Sequence, residues 1–448
     1  MSQPLYSKKD LKKLILPLLA EQALTLTVGM ADTMMIASAG EAAVSGVSLV
    51  DMLNTLIISV LGALATGGAV VTSQFLGAGN RKDACKSARQ LMVSSICITM
   101  VISILIMIFH NGIISLFFGK IEADVFRNCV IYLLFSAVSF PFLALYNSCA
   151  AIFRSMGNSQ ITLKVSVIEN IINIGGNALG MYVFHAGVAG VAIPSLISRA
   201  VAGFILYVLL KNTKNEVYFS RDKFSFDWLM IKRILSLGIP SGIENGIFQL
   251  GRVIVVSIIA SFGTVQIAAN GVSNGLDSMG CIVGQAMNLA MITVIGRCVG
   301  TGQEKLVRHY TKKLMIITYS YTFCLNLLII LGLPWILKLY GLNDDTTHLS
   351  YILVMIHNSA AILLWPLSFT FPNMLRACND VRFPMIISIL SMFTFRIFFS
   401  LFLGVYMGYG AIGVWIAMIL DWLFRITCFI IRYLSGHWKK TAKLQAAA

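Results

Sequence analysis

Leu16-Pro17-Leu18-Leu19-Ala20-Glu21-Gln22 opens an apolar stretch that closes on Leu76-Gly77-Ala78-Gly79-Asn80. The same punctuation returns further on. Ile239-Pro240-Ser241-Gly242-Ile243-Glu244-Asn245 opens a second apolar stretch, which closes on Val299-Gly300-Thr301-Gly302-Gln303. Pro17 and Pro240, Glu21 and Glu244, Gly77 and Gly300, and Gly79 and Gly302 each stand 223 residues apart. Later segments repeat as well: Phe153-Arg154 parallels Leu375-Arg376, and Gly187-Val188-Ala189-Gly190-Val191 parallels Gly410-Ala411-Ile412-Gly413-Val414. Such self-similarity over half a chain marks an internal duplication, and in a membrane protein two parallel halves are the architecture of secondary transporters.

Composition supplies the membrane. Hydrophobic residues make up 57% of the 448, charged residues only 12%, and the mean hydropathy is +0.82, outside the range of a soluble globular chain. Apolar runs long enough to cross roughly 30 Å of hydrocarbon recur twelve times: about 14–38, 49–75, 88–110, 128–153, 161–184, 188–210, 229–261, 273–297, 310–337, 350–375, 383–407 and 411–434. The runs are solid, not alternating, so they read as helices and not as a barrel. The expected fold is therefore an all-α membrane protein with twelve transmembrane helices in two pseudo-symmetric six-helix bundles. Its expected parts are an N-terminal bundle over 1–210, a linker over 211–228 and a C-terminal bundle with a short tail over 229–448. The linker is the one clearly charged connection, with Lys211, Lys214, Glu216, Arg221, Asp222, Lys223 and Asp227.

The net charge of +15 has a topological pattern. Of 34 lysines and arginines, 27 fall at the termini or beside the even-numbered loops, whereas the odd loops hold only Lys120, Arg127 and Lys338. Positive charge concentrates on the cytoplasmic side, so both termini and the linker are expected there, in a multi-pass protein of the cell inner (plasma) membrane. That distribution removes nucleic acid as a partner. The first apolar run is too long for a signal-peptide core and has no small-residue cleavage site, so it reads as the first span. The nine cysteines are scattered without C-x-x-C, which predicts neither disulfides nor a cysteine-ligated metal. No metal-ligand spacing of histidines and no phosphate-binding glycine loop occurs, so no enzyme class is indicated.

Charges inside the spans are functional candidates because they are costly there. The deep acids are Glu21, Asp32, Glu169, Glu244 and Asp421; the deep bases are Arg199, Arg252, Arg396 and Arg425. Asp51 and Asp277 fall near span ends, where water is within reach. Asp421 and Arg425 are four residues apart on one helical face and form an expected structural ion pair, with Arg396 as a further partner. Glu21 and Glu244 each follow a helix-bending proline by four residues. Either could accept backbone donors freed at the bend or touch a cationic substrate, and Glu169 belongs with them as a substrate or structural candidate. Asp32 differs. It has no basic residue within a turn, and its repeat counterpart is Val255. An isolated carboxylate in an apolar setting suits reversible binding of a proton, or of Na⁺ where oxygen ligands stand nearby. Span 5 offers such ligands: Asn170, Asn173 and Asn177 share one face, joined by Ser195 and Ser198 of span 6, and Gly175-Gly176 permits a close helix crossing.

Together these features resemble the multidrug and toxic compound extrusion (MATE) family. The resemblance rests on twelve spans in two repeats, Ala31-Asp32-Thr33 in span 1, Leu76-Gly77-Ala78-Gly79 after span 2, and Arg154 with Gly157 after span 4. It implies a V-shaped pair of six-helix bundles exporting organic cations in exchange for H⁺ or Na⁺, with no other cofactor, acting as a monomer on small-molecule substrates in the lipid bilayer. It further implies that Asp32 is the cation-coupling aspartate, with Asn173 beside it and Ser195 near a hydroxyl ligand. Asn177 stands where several members carry an aspartate, Phe248 where a glutamate is common, and Trp365 near the place of a span-10 acid. These departures remove charge from the Na⁺ set and from the second half, leaving Asp32 as the expected coupling site. A lipid-linked oligosaccharide flippase of the same superfamily is the alternative, and it would need a large basic cavity.

Overall fold

A computed structural model of the protein describes residues 5–219 and 225–444. Arg221, Asp222 and Lys223 of the expected linker lie outside the described residues. Contacts divide the chain into two compact units, Met1–Gly242 and Ile243–Ala448.

In the first unit the helices are α1 (Lys8–Ala37), α2 (Glu41–Gly77), α3 (Arg81–Phe118), α4 (Ala123–Ser155), α5 (Ser159–Ala178), which runs on through a π-helical turn at Leu179–Val183, and α6 (Ala189–Leu210). Helix α7 (Trp228–Ala260) begins in this unit and continues into the next. The second unit adds α8 (Thr264–Gly280), α9 (Ile282–Gly300), α10 (Glu304–Leu339) and α11 (Asp344–Trp365), which passes through a π-helical Pro366–Thr370 into α12 (Pro372–Ala377). Helix α13 (Arg382–Ser391) then unwinds into π-helical turns to Tyr406, followed by α14 (Gly410–Leu434) and the short α15 (His437–Thr441). Helix starts keep the repeat: Glu41 and Thr264, Arg81 and Glu304, Ser159 and Arg382 are each 223 residues apart.

Among the described residues, eleven helical runs are long and apolar enough to cross a membrane. Helix α5 with its π turn falls short of that criterion because Lys164, Glu169 and three asparagines dilute its apolar residues. The first helix starts on a capping box, in which Ser7 Oγ accepts the Asp10 N–H at 3.1 Å and Asp10 accepts the Ser7 N–H at 2.9 Å.

Between membrane helices there is little hydrophobic drive, so close packing sets the crossings. Gly180 and Gly190 meet backbone to backbone, and Gly176 faces Pro194; a methyl group on any of the three would collide within 3 Å. This crossing seats α6 on α5 and presents the Ser195 face to Asn173. The second unit uses the same device, with Gly413 against the backbone of Leu403 and Gly404. Elsewhere in the first unit, Val50, Leu61, Ile106, Leu133 and Phe140 form a core among α2, α3 and α4.

The described part of the linker is tied to the first unit. Arg81 donates to the carbonyls of Thr213, Asn215 and Glu216 at 2.6–3.0 Å. Lys86 pairs with Asp227 at 2.5 Å and holds that carboxylate below its usual range.

Candidate functional site

Four of the buried acids have arginine partners. Glu21 on α1 meets Arg154 at the end of α4 at 2.5 Å and accepts the Thr162 hydroxyl of α5 at 3.0 Å. Glu244 on α7 meets Arg376 of α12 with both oxygens at 2.7 Å and accepts the Ser388 hydroxyl of α13 at 2.6 Å. The sequence leaves these glutamates open between capping a proline bend and touching a substrate. Each ties three helices of its own unit, because the arginine of the same repeat reaches it. A buried carboxylate needs such a counter-charge. Asp421 sits between Arg425 at 3.0 Å and Arg396 at 3.7 Å, and it also accepts the Ser391 hydroxyl. Asp380 pairs with Arg432 at 2.8 Å.

Asp32 lies elsewhere. It lines a cavity of about 290 Å³ in the first unit, together with Asp51, Tyr132, Glu169, Asn170, Asn173, Ser195, Ser198 and Arg199. Its carboxylate accepts the Asn177 amide at 2.8 Å. That amide also reaches Asn173 Oδ1 at 3.3 Å, and Asn173 donates to Ser195 Oγ at 3.0 Å. Asp32, Asn177, Asn173 and Ser195 thus form one chain of hydrogen bonds across α1, α5 and α6, with Asn177 Oδ1 buried and without a partner among the described residues. Arg199 donates to Ser139 at 2.7 Å. Glu169 makes no salt bridge among the described residues. Three carboxyl groups therefore share the cavity with one guanidinium.

Two of the cavity acids and bases lay outside the expected site. Asp51, read as reaching water at a span end, faces the cavity and hydrogen-bonds Tyr132 and Asn54. The available signal was Ser48, Asp51 and Asn54 at three-residue steps, a polar stripe on an apolar helix. Arg199 was marked only as a charge inside a span, and it becomes a cavity residue when α6 crosses α5.

The second unit holds a smaller cavity, about 40 Å³, lined by Arg252, Val255, Asn270, Asn274, Arg396, Trp415 and others. Nine of its ten lining residues stand 223 positions after a lining residue of the first cavity. The duplicated site has exchanged its charges. Asp32 is matched by Val255 and Asp51 by Asn274, whereas Gly29 is matched by Arg252 and Asn173 by Arg396. Aromatic rings fill the space around it. Trp365 stacks on Phe369 with centroids 5.0 Å apart and lies against Gly284, and Arg425 lies over the rings of Phe248 and Phe369.

Two repeats of apolar helices, with a polar cavity inside each unit, define a multi-pass membrane transporter and not an enzyme. A family model described as MatE matches residues 17–179 and again 240–402, the same stretch of each repeat, and the chain belongs to that family. It is 26% identical to the probable multidrug resistance protein NorM of Thermotoga maritima, over 98% of this chain and 94% of that protein. The uncharacterized transporter YisQ of Bacillus subtilis is also 26% identical, over 98% of this chain and 99% of its own. Among solved structures, a MOP superfamily transporter from Pyrococcus furiosus matches with a TM-score of 0.89 at 18% identity, covering 98% of this chain and 97% of that one. A MATE in its bent conformation matches with a TM-score of 0.87 at 18% identity, covering 97% of each chain.

Proposed function

We propose that this protein is a proton-coupled exporter of organic cations, with Asp32 as the coupling residue. The observation that carries the reading is the cavity in which Asp32, Asp51 and Glu169 face one arginine. Its volume lies at the lower end of small-molecule sites, and its carboxylate excess suits a positively charged guest. Alternating binding of a proton and a substrate at one carboxylate biases a two-state equilibrium only through differential affinity for the two states. The neutral character of Asn177, the one hydrogen-bond partner of Asp32 among the described residues, supports Asp32 in that role.

A proton is favoured over Na⁺ because Asn177 presents its amide N–H₂ to Asp32, whereas a hard cation requires a surround of oxygens. Asn177 Oδ1, buried and without a partner among the described residues, supports Na⁺ as the second reading: turned towards Asp32, it would complete an oxygen set with Asn173 and Ser195. A flippase for a lipid-linked pyrophosphate is disfavoured, because the arginine-lined cavity of the second unit has room for only a few waters. The charge pattern of the loops supports insertion in the plasma membrane with both termini cytoplasmic. Labelling of single cysteines at Asn215 and Asn343 from opposite sides tests that orientation.

The function is tested with purified protein in liposomes, following ethidium efflux with a proton gradient and a sodium gradient imposed separately. Efflux driven by the proton gradient alone is the expected result. Efflux driven only by sodium would transfer the coupling to the second reading, and efflux driven by neither would remove ion-coupled export altogether.

A further inference from the structure

Three metal-ligating side chains that the transport cycle above leaves unused converge in the second unit. Asp277 of α8, Cys281 at the junction of α8 and α9, and His357 of α11 bring one donor atom each to within 4.8 Å of one another. Asp277 and Cys281 are a helical turn apart and share a face. At Cys281 the helix breaks step (φ −90°, ψ −5°), beside Asn326 of α10, which donates to the Gly280 carbonyl at 3.2 Å. His357 is 1% exposed, and its ring is held by the edges of Trp415 and Trp422 at centroid distances of 5.7 and 5.2 Å.

The protonation of His357 follows from its neighbours. Nδ1 lies 2.9 Å from Asn358 Oδ1, an atom that only accepts, so Nδ1 carries the hydrogen. Nε2 lies 2.6 Å from Asp277 Oδ1, off the line of a good hydrogen bond. A nitrogen and a carboxylate oxygen this close share a cation, a proton in the metal-free site or the metal ion that displaces it. The third donor, Cys281 Sγ, reaches the same carboxylate oxygen at 3.2 Å. One sulfur, one imidazole nitrogen and one carboxylate oxygen form a donor set suited to a borderline-soft divalent ion, and the Asn358 contact to Nδ1 is the outer support by which ligating histidines are usually oriented.

We infer that Asp277, Cys281 and His357 form a binding site for a divalent metal ion of the zinc class, with water in the fourth position. Bonds of about 2.0 Å to nitrogen and oxygen and about 2.3 Å to sulfur place tetrahedral donors roughly 3.3–3.6 Å apart. The Asp277–His357 gap therefore opens by less than about 1 Å on binding. As the metal binds, the Cys281 thiol gives up its proton to water, and the proton shared by His357 Nε2 and Asp277 leaves to water as well. Thiolate and carboxylate together neutralise the dication. Asp277 and Cys281 are partly exposed, and the Asp277 carboxylate gives the ion its way in. A bound ion staples the α8–α9 junction to α11.

The full-length protein, purified in detergent under reducing conditions and stripped with a chelator, is loaded with Zn²⁺ and desalted, and its metal is counted by mass spectrometry. One ion per chain is expected, together with a higher thermal midpoint by ligand linkage. With Co²⁺ instead, a thiolate-to-cobalt charge-transfer band is expected. Cys281→Ser and His357→Gln should each weaken Zn²⁺ binding at least about tenfold and abolish the thermal gain. Cys324→Ser, at an exposed thiol, should do neither. Should His357→Gln fail to fold, Cys281→Ser reads the same ligand set through loss of the cobalt band. Absence of retained metal in the wild-type protein, or retention unchanged in Cys281→Ser, would overturn the site.

Discussion

The two cavities arise from one duplicated sequence and occupy matching positions, yet they differ in charge and size. The first is about 290 Å³ and carries three carboxyl groups to one guanidinium; the second is about 40 Å³ and carries Arg252 and Arg396. Around them key scaffold contacts are kept. Glu21–Arg154 and Glu244–Arg376 make the same tie in both units, and the small-residue crossings at Gly190 and Gly413 coincide. Duplication has kept the packing contacts and released the cavity side chains. Only one of the two cavities retains acids in contact with open volume, so an exchange of cations is expected to depend on the first unit and not on the second.

The largest effect that would break this comparison concerns coupling. Asp32→Asn preserves size and hydrogen bonding while fixing the charge, so gradient-driven ethidium efflux should fall to the leak of empty liposomes, with expression unchanged. Arg252→Gln, in the second cavity, should leave efflux within about twofold, the scale of an exposed charge with no salt-bridge partner among the described residues. Equal losses in both variants would mean that the two cavities act together.

Next in size are the buried charges of the second unit. Asp421→Asn leaves Arg425 and Arg396 without a counter-ion and should lower stability by about 3–5 kcal/mol, read as a fall in the thermal midpoint of purified protein. Adding Arg425→Met should recover part of that loss, since a lone buried charge is the costly state. Normal stability of Asp421→Asn with selective loss of transport would assign the cluster to the mechanism.

The shared tie gives a symmetric prediction. Glu21→Gln and Glu244→Gln should each cost about 3 kcal/mol, by the same loss of a counter-charge to a largely buried arginine. A cost confined to one of them would show that the two units have diverged in their scaffold as well as in their cavities.

The smallest effect is at the linker. Lys86 holds the Asp227 carboxylate below its usual range. A lowered folded-state value means that the tether is fully present above the ordinary aspartate value of about 3.9 and is lost as pH falls through the lower one. The protection of amides over residues 225–230 should therefore stay constant between pH 5 and 8, a range above that value, and fall only in stronger acid. Asp227→Asn should lower that protection between pH 5 and 8 and change nothing in acid strong enough to protonate Asp227.

Sequence alone determined the elements. Twelve apolar runs, the positions of proline and glycine, and the offset of 223 residues predicted helices whose starts repeat at that same offset. The reason is that helix formation in an apolar medium is a local matter: every backbone group must be satisfied within its own segment. For the same reason Asp421 and Arg425 were legible as neighbours, being one turn apart on one helix. The partners of Glu21 and Glu244 were not legible, although their arginines stood in the same repeat, because the contacts span more than 130 residues and depend on where α4 and α12 end against α1 and α7. Asp51, Arg199, Asp277 and His357 fall under the same limit. Periodicity fixes the face a side chain occupies on its own helix, but the crossing of helices decides which faces meet, and that crossing is set by close contacts such as Gly180 on Gly190. The charge reversal between the two cavities was present in the sequence at Asp32 and Val255, Gly29 and Arg252. Only the tertiary structure assigned those positions to cavities, because an open volume is a property of several helices at once.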